Sequence, residues 1–464
     1  MKDIAYRFSN GWKRISTEEN PLVNHIGDDY KLFLNKAKTE RECIDEFLRL
    51  AEEHGFVNLN DIIHEKRNLH ENRKIYVVNK GKSLALFVLG TEDLEKGMHL
   101  IGAHVDAPRL DLKPFPLYED GELALMKTHY YGGIKKYQWT SIPLALHGTI
   151  IKKDGNSVKL VIGEEENDPV LFITDLLPHL AKDQVQKKMG EGITGEGLNV
   201  LVGSIPGNED VKESIKYHII ELLNEKYGIE EDDFLTAEIE VVPAGKAKDV
   251  GLDKSLIGGY GHDDRVCSYT AVRAILEVEN PLKTAAVLLV DKEEIGSYGN
   301  TSMKSKFFEN AVAELIACQS KDYSDLKLRR AMANTKALSA DVGVAFDPNY
   351  PDVYDKRNTA FIGKGVTIIK YSGSRGKNSA NDANAEFLGE IRKIFQDNDV
   401  VWQTGEYGKV DQGGGGTIAH ILASHNAEVV DCGPPVLSMH APMELVSKID
   451  VYMTFKGYKA FLNR

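Results

Sequence analysis

Residues 285–297 read AAVLLVDKEEIGS, an uninterrupted apolar run followed at once by an acidic turn. A similar run, HLIGAHV at 99–105, ends beside Asp106. Apolar runs of this length are typical of strands that are buried on both faces of a parallel sheet. Apolar residues also recur at helical spacing in segments such as 44–54, 266–278, 383–396 and 443–461. The sequence therefore predicts an α/β fold with a mainly parallel central sheet covered by helices.

The middle of the chain has a different pattern. Strand-like runs at 144–151, 157–162 and 237–242 are separated by polar turns and acidic clusters. We expect a β-rich inserted domain at 116–243. The remaining residues, 1–115 and 244–464, would then form one discontinuous catalytic domain.

Composition excludes several classes of protein. The chain has 464 residues, a formal net charge of −13 and 42% hydrophobic residues, which is enough to bury a large core. It has no apolar run of about 18 residues and begins with a charged segment, so we expect neither a membrane span nor a signal peptide. Its 4 cysteines form no CxxC pair, and its acidity disfavours nucleic-acid binding. We expect a cytoplasmic protein with no membrane or nucleic-acid partner.

One glycine motif is a poor match to its usual context. Gly190, Gly192 and Gly195 fit G-x-G-x-x-G, but residues 180–189 before them look helical and polar. A dinucleotide site needs a strand, a tight turn and a helix in that order. The pattern therefore favours a flexible loop over a nucleotide site.

Five short segments carry the candidate chemistry. Each has an ordinary structural explanation when it is taken alone, such as a His–Asp pair, a helix N-cap or an exposed acidic turn. The segments are HVD at 104–106, GHDDR at 261–265, DKEEIGS at 291–297, SADV at 339–342 and SMHAP at 438–442.

Taken together, the five segments predict a two-metal hydrolase. They supply imidazoles and carboxylates but no thiolate, a donor set that suits zinc, cobalt or manganese. Adjacent residues of an extended chain point to opposite sides, so Glu293 and Glu294 can divide their roles. One would bind a metal ion and the other would face a bound water.

The motifs also resemble those of a known family. AHVDAPRLDLKP, GHDDR, DKEEIGS, SADVG, DPNY and SMHAPMELVS look like successive motifs of the aspartyl aminopeptidase and aminopeptidase I family of dinuclear zinc exopeptidases. YYGGIKKYQW and PHLA resemble segments of the family's inserted domain, so the similarity spans nearly the whole chain. The resemblance implies a zinc-exopeptidase fold and the release of single residues from the free N-termini of peptides.

The resemblance also implies a role for each site residue. One ion would be held by His104, Asp263 and Asp341, and the other by Asp263, Glu294 and His440. Asp263 would bridge the two ions. Glu293 would be the general base and Asp106 the partner that orients His104.

Two further residues follow from the resemblance. Lys370, in TIIKYSG, would contact substrate, and His179, in PHLA, would reach the site of a neighbouring subunit in a tetrahedral dodecamer built from dimers. The segment TSIP after Trp139 departs from the expected acidic and basic pattern. This departure leaves the preferred first residue open between acidic and neutral side chains.

Two alternatives remain at the level of sequence. A related two-metal carboxypeptidase or deacylase would recognise a carboxylate end of its substrate instead of an amine. A catalytically silent assembly protein could keep the fold, although such a protein would be expected to lack a ligand or the base.

Overall fold

The computed structural model describes residues 4, 6–65, 69, 73–207, 211–320 and 322–464. The chain forms two compact units. The larger contains Met1–Asp106, Ala247–Met439 and Glu444–Arg464, and the smaller contains Ala107–Lys246 and His440–Met443.

A nine-stranded sheet is the centre of the larger unit. The pairs that link Thr284–Val290, Met98–His104, Lys336–Ser339 and Glu428–Gly433 are all parallel, whereas Val366–Ile369 runs antiparallel to its neighbour Glu428–Gly433. The expected mainly parallel sheet is thus confirmed, with antiparallel strands outside its middle. In order across the sheet the strands are Val57–Asn58, Lys74–Asn79, Ser83–Val88, Thr284–Val290, Met98–His104, Lys336–Ser339, Glu428–Gly433, Val366–Ile369 and Trp402–Thr404.

Alternate residues of the central strands enter two separate hydrophobic cores. In Thr284–Val290, Val287 and Leu289 pack in one core, while Ala286 and Leu288 pack in the other. This alternation explains why the run is apolar at every position, since both of its faces are covered.

Helices of the larger unit cover both faces of the nine-stranded sheet. The helix Glu40–Glu53 illustrates the local signals, since Thr39 and Glu42 form a capping box and Cys43, Ile44 and Phe47 are buried. The helices are Asn20–Lys36, Glu40–Glu53, Leu59–Glu65, His262–Leu276, Phe307–Gln319, Asp325–Ala333, Ala385–Asp397, Ala419–Ala423 and Lys448–Leu462.

The larger unit also contains a five-stranded sheet. The sequence predicts a helix over 443–461, but the structure begins this helix at Lys448 and places a strand before it. The strand pairs with Leu256–Gly259, a partner too distant in sequence for local patterning to reveal. The strands are Lys248–Val250, Leu256–Gly259, Glu444–Ser447, Pro435–Leu437 and Gly343–Val344.

The smaller unit is β-rich. Ala237–Pro243 pairs with both Arg109–Asp120 and Pro143–Ile151, which closes the antiparallel sheet on itself. The predicted boundary after 115 falls inside Arg109–Asp120, and the unit boundary lies after Asp106. The other strands are Leu123–Tyr131, Val200–Gly203, Leu171–Phe172 and Ser157–Ile162, and the helices are Met189–Gly192 and Ser214–Tyr227.

The expectation of a helical segment at 180–189 is wrong. Beyond the short 3-10 helix Pro178–Leu180, the segment forms turns, and a four-residue helix begins only at Met189. Its Lys and Gln residues match helical composition, but its large apolar side chains Leu180, Val185 and Met189 are exposed, so burial of an apolar face does not stabilise a helix here. Among the described residues, no helix combines the length and hydrophobicity that a membrane span requires.

Candidate metal centre

The candidate ligands of the larger unit lie at one edge of the nine-stranded sheet. His104 ends the strand Met98–His104, and its register partner in the parallel neighbour is Val290, three residues before Glu293. Asp341 follows the next parallel strand, Lys336–Ser339. Because parallel strands end at the same edge, residues far apart in sequence meet here.

Asp106 joins two parts of this centre. Nδ1 of His104 lies 3.0 Å from the carbonyl oxygen of Asp106 and 3.3 Å from its Oδ1. The two carboxylate oxygens of Asp106 also accept the backbone N–H groups of Glu293 and Glu294, at 3.1 and 3.2 Å. With Nδ1 acting as a donor to Asp106, Nε2 would offer its lone pair to a metal ion bound at this centre.

Asp263 and Asp264 contact different atoms of His104. The peptide bond between them is cis, and both have non-helical backbone angles at the start of helix His262–Leu276. Asp263 Oδ1 lies 3.2 Å from Nε2 of His104, and its backbone N–H donates to Glu444 Oε2 at 3.0 Å. Asp264 Oδ2 accepts the backbone N–H of His104 at 3.2 Å. Both carboxylates therefore lie against His104.

The concentration of buried negative charge shifts several pKa values. Burial raises the pKa of Asp341 well above its usual range, and Asp263 and Asp264 raise it further. Burial likewise raises the pKa of Asp264, with Asp263 adding to the effect. Burial lowers the pKa of His104, but hydrogen bonds to Asp106 and Asp263 outweigh it and raise that pKa. Ionising all of these carboxylates at neutral pH requires a compensating cation.

The donor atoms fit metal coordination. Within the described residues, one ligand atom each from His104, Asp263 and Glu294 lie within 4.8 Å of one another. The same holds for His104, Asp264 and Asp341. Imidazole nitrogen and carboxylate oxygen, without thiolate, are a donor set that zinc accepts in catalytic sites.

The structure assigns the predicted ligand His440 to a different compact unit from the other candidate ligands. It belongs to the smaller unit, where its Nδ1 is 2.9 Å from the carbonyl oxygen of Gly133. Neither group of candidate ligands found among the described residues includes it.

The two residues predicted to contact substrate are both exposed. Lys370 follows the strand Val366–Ile369, and its Nζ lies 3.1 Å from Oδ1 of Asp382. His179 lies in the 3-10 helix Pro178–Leu180 of the smaller unit.

Sequence reasoning missed three residues around the centre. The sequence assigns no separate role to Asp264 or to Glu444. Tyr407 was also missed; its hydroxyl donates to the carbonyl oxygen of Val342 at 2.8 Å. Burial raises the pKa of Tyr407, and the charges of Asp341 and other acidic residues add to the shift. Tyr407 follows an edge strand in a glycine-rich stretch, where no periodic signal marks it.

Comparisons with known proteins agree on one family. Residues 33–462 match the family described as aminopeptidase I zinc metalloprotease (M18). A probable M18 family aminopeptidase 1 of Clostridium acetobutylicum is 52% identical over 462 residues, covering 99% of each chain. The crystal structure of the M18 aminopeptidase of Thermotoga maritima has a TM-score of 0.94 at 45% identity, covering 99% of this chain and 100% of that one. The Saccharomyces cerevisiae mApe1 dodecamer structure shares the fold, with a TM-score of 0.75 at 23% identity over 95% of this chain and 97% of that one.

Fold and donor set together are those of a metal-dependent hydrolase. The likeness to its relatives extends over almost the full length of both chains. The chain belongs to the peptidase M18 family, the aminopeptidase I zinc metalloproteases. It is a metallo-aminopeptidase, which decides against the carboxypeptidase or deacylase and against the silent assembly protein.

Replacing Asp106 by Asn should weaken metal binding without unfolding the chain. The amide keeps the shape but provides one acceptor oxygen for two backbone N–H groups, and it can no longer hold His104 electrostatically. We expect zinc affinity to fall about 10- to 100-fold, measured by competition with a chelator. Asp352→Asn, at an exposed position, is the control. Equal affinities in the two variants would contradict the role of Asp106.

Proposed function

We propose that the chain removes N-terminal residues with two divalent metal ions, most simply zinc, with cobalt or manganese as alternatives. The observation that carries this proposal is the group of buried carboxylates around His104. His104, Asp263 and Asp341 would hold one ion, and Asp263, Glu294 and His440 the other. Asp264 is a further candidate, because it groups with His104 and Asp341. When bound, such ions would polarise the scissile carbonyl and lower the pKa of a water.

Glu293 is the proposed general base. Its backbone N–H is held by Asp106, as is that of Glu294, so one carboxylate fixes the positions of both residues. Glu294 would serve as ligand while Glu293 takes a proton from the attacking water and delivers it to the leaving amine. The free amine of the substrate would lie beside the acidic groups, which attract its positive charge.

Glu293→Gln should lower turnover while metal content stays the same. The amide retains the size and the backbone contacts of Glu293 but cannot accept a proton. We expect kcat to fall about 10²- to 10⁴-fold, measured on aminoacyl substrates together with elemental analysis. Glu314→Gln, on an exposed helix position, is the matched control. Near-normal turnover of a fully loaded Glu293→Gln variant would refute the assignment.

The preferred first residue is a finer proposal. Lys370 supports a preference for Asp or Glu, since an ammonium group can form a charge-assisted hydrogen bond with a carboxylate. Asp382 contacts Lys370 and already offsets part of its positive charge. The segment after Trp139 argues instead for neutral side chains. The acidic preference that we propose is therefore a modest one.

The smaller unit is proposed to build a homo-oligomer, with a tetrahedral dodecamer of dimers as the specific form. The yeast dodecamer of the same fold supports this proposal. So does a run of exposed apolar side chains around His179, because patches of this kind mark interaction surfaces. These side chains are Leu176, Leu177, Leu180, Val185 and Met189. A cytoplasmic location and peptides as the substrates complete the proposal, with no nucleic-acid or membrane partner.

Leu180→Glu tests whether the exposed apolar side chains build the oligomer. Leu180, 68% exposed, changed to Glu should break the oligomer, because charges are depleted in interface cores. Sedimentation should then show smaller species with reduced activity. Leu252→Glu, at an exposed site of the larger unit, should leave the oligomer intact.

His179→Ala should keep the oligomer but lower kcat/KM by about tenfold or more, the effect of losing one polar contact to substrate. A fully active monomer, or unchanged activity in His179→Ala, would reject the idea that subunits share a site.

A further inference from the structure

A bend at 132–133 of the smaller unit contacts a predicted metal ligand. Nδ1 of His440 lies 2.9 Å from the carbonyl oxygen of Gly133. Both residues belong to the smaller unit, although 307 positions separate them in the sequence. Gly133 is part of YYGGIKKYQW, a segment that contains none of the predicted ligands. The contact therefore gives this segment a direct relation to the metal chemistry.

The hydrogen bond determines which ring nitrogen of His440 carries a proton. A carbonyl oxygen can only accept, so Nδ1 must be the donor. In the neutral imidazole the lone pair then lies on Nε2, the nitrogen that would be offered to a metal ion. His104 has the same arrangement, since its Nδ1 lies 3.0 Å from the carbonyl oxygen of Asp106. Each predicted histidine ligand thus has a backbone carbonyl as the partner of Nδ1.

The chain is anchored on both sides of Gly133. Tyr131 ends a strand and pairs with Arg109 of the neighbouring strand, whose guanidinium carbon lies 4.0 Å from the centre of the tyrosine ring. Trp139 ends a 3-10 helix and is completely buried. The carbonyl oxygen of Gly133 is therefore presented by a segment that is held at both ends.

The backbone at His440 also has an unusual conformation. Ser438 and His440 have φ angles of 58° and 65°, in the left-handed region that residues with a side chain rarely adopt. Such conformations persist only where the surrounding structure determines them. The hydrogen bond to Gly133 is one interaction that holds His440 in this conformation.

The imidazole lies where a side chain at position 133 would begin. A β-carbon on Gly133 would lie 3.3 Å from Nδ1 of His440, which is shorter than ordinary van der Waals contact, and 3.7 Å from Cε1. The ring would have to move by a few tenths of an ångström to accept it. Metal–ligand distances tolerate deviations of only about 0.2 Å, so a displacement of this size matters for a ligand.

We propose that Gly133 is a positioning residue for His440. Its carbonyl oxygen holds Nδ1, and its lack of a side chain leaves room for the ring in the orientation that binds the second ion. The smaller unit thus serves the metal centre as well as assembly. This inference rests on the proposed function, since it assumes a second ion that His440 binds together with Asp263 and Glu294.

Gly133→Ala tests this role through metal affinity. Competition with a chelator should give two dissociation constants for zinc in the wild-type chain. In the variant, the constant of the ion that depends on His440 should rise about 10- to 100-fold, as when the support of a ligand is disturbed, and the other should not change. Gly389→Ala is the matched control, because a β-carbon at that exposed helix position meets no atom within 4 Å.

A His440→Ala chain identifies the ion and separates positioning from folding. The constant that rises in this chain belongs to the second ion. With no imidazole for the added methyl group to meet, Gly133→Ala should have no further effect on either constant in this background. If Gly133→Ala alone fails to fold, recovery of the fold in the double variant supports the proposal in the same way.

Several results would overturn the proposal. These are unchanged constants in Gly133→Ala or in His440→Ala, weaker binding of both ions in Gly133→Ala, and a loss of affinity or of folding that persists in the double variant. In each case the wild-type chain still binds two ions, so the two-ion function stands. A wild-type chain that binds at most one ion removes that function, and this inference with it.

Discussion

Mutual repulsion among buried carboxylates is the constraint on which this structure depends. Two unit charges about 5 Å apart interact by about 3 kcal/mol at an effective dielectric constant of 20. Beside His104, the pairs Asp263–Glu294 and Asp264–Asp341 each have carboxylate oxygens within 4.8 Å of one another, so ionising both members of a pair would cost a substantial part of a typical domain stability of about 5–15 kcal/mol. The acidic groups must either hold protons or share cations. The raised pKa values of Asp264 and Asp341 correspond to the first of these two outcomes.

The fold brings these charges together and holds them in place. Parallel strands end at one edge, so residues separated by more than two hundred positions meet without a long connecting loop. Both faces of the strands are buried in hydrophobic cores, which fixes the strand ends that carry the candidate ligands. Asp106 then ties the imidazole of His104 to the segment of Glu293 and Glu294. A single carboxylate therefore orients one candidate ligand and positions the candidate base.

Continuous apolar runs made the central strands predictable, and polar residues at or after their ends marked His104, the pair Glu293 and Glu294, and Asp341 as candidates. The sequence was less informative where pairing is non-local. The sequence predicts helix at Glu444–Ser447, where the structure has a strand, because the strand's partner lies almost two hundred residues away. Tyr407 could not be found, since a single aromatic residue in a glycine-rich stretch has no pattern to mark it. The role of Asp264 depends on backbone geometry that spacing alone does not encode.

Metal content is the most direct test of the central claim. Elemental analysis of the purified chain after zinc loading should give about two ions per chain, and Asp263→Ala should lose more metal than His104→Ala or His440→Ala. The reason is that Asp263 is the proposed ligand of both ions, whereas each histidine binds one. A wild-type chain that takes up at most one ion, or an Asp263→Ala variant that retains two, would contradict the account.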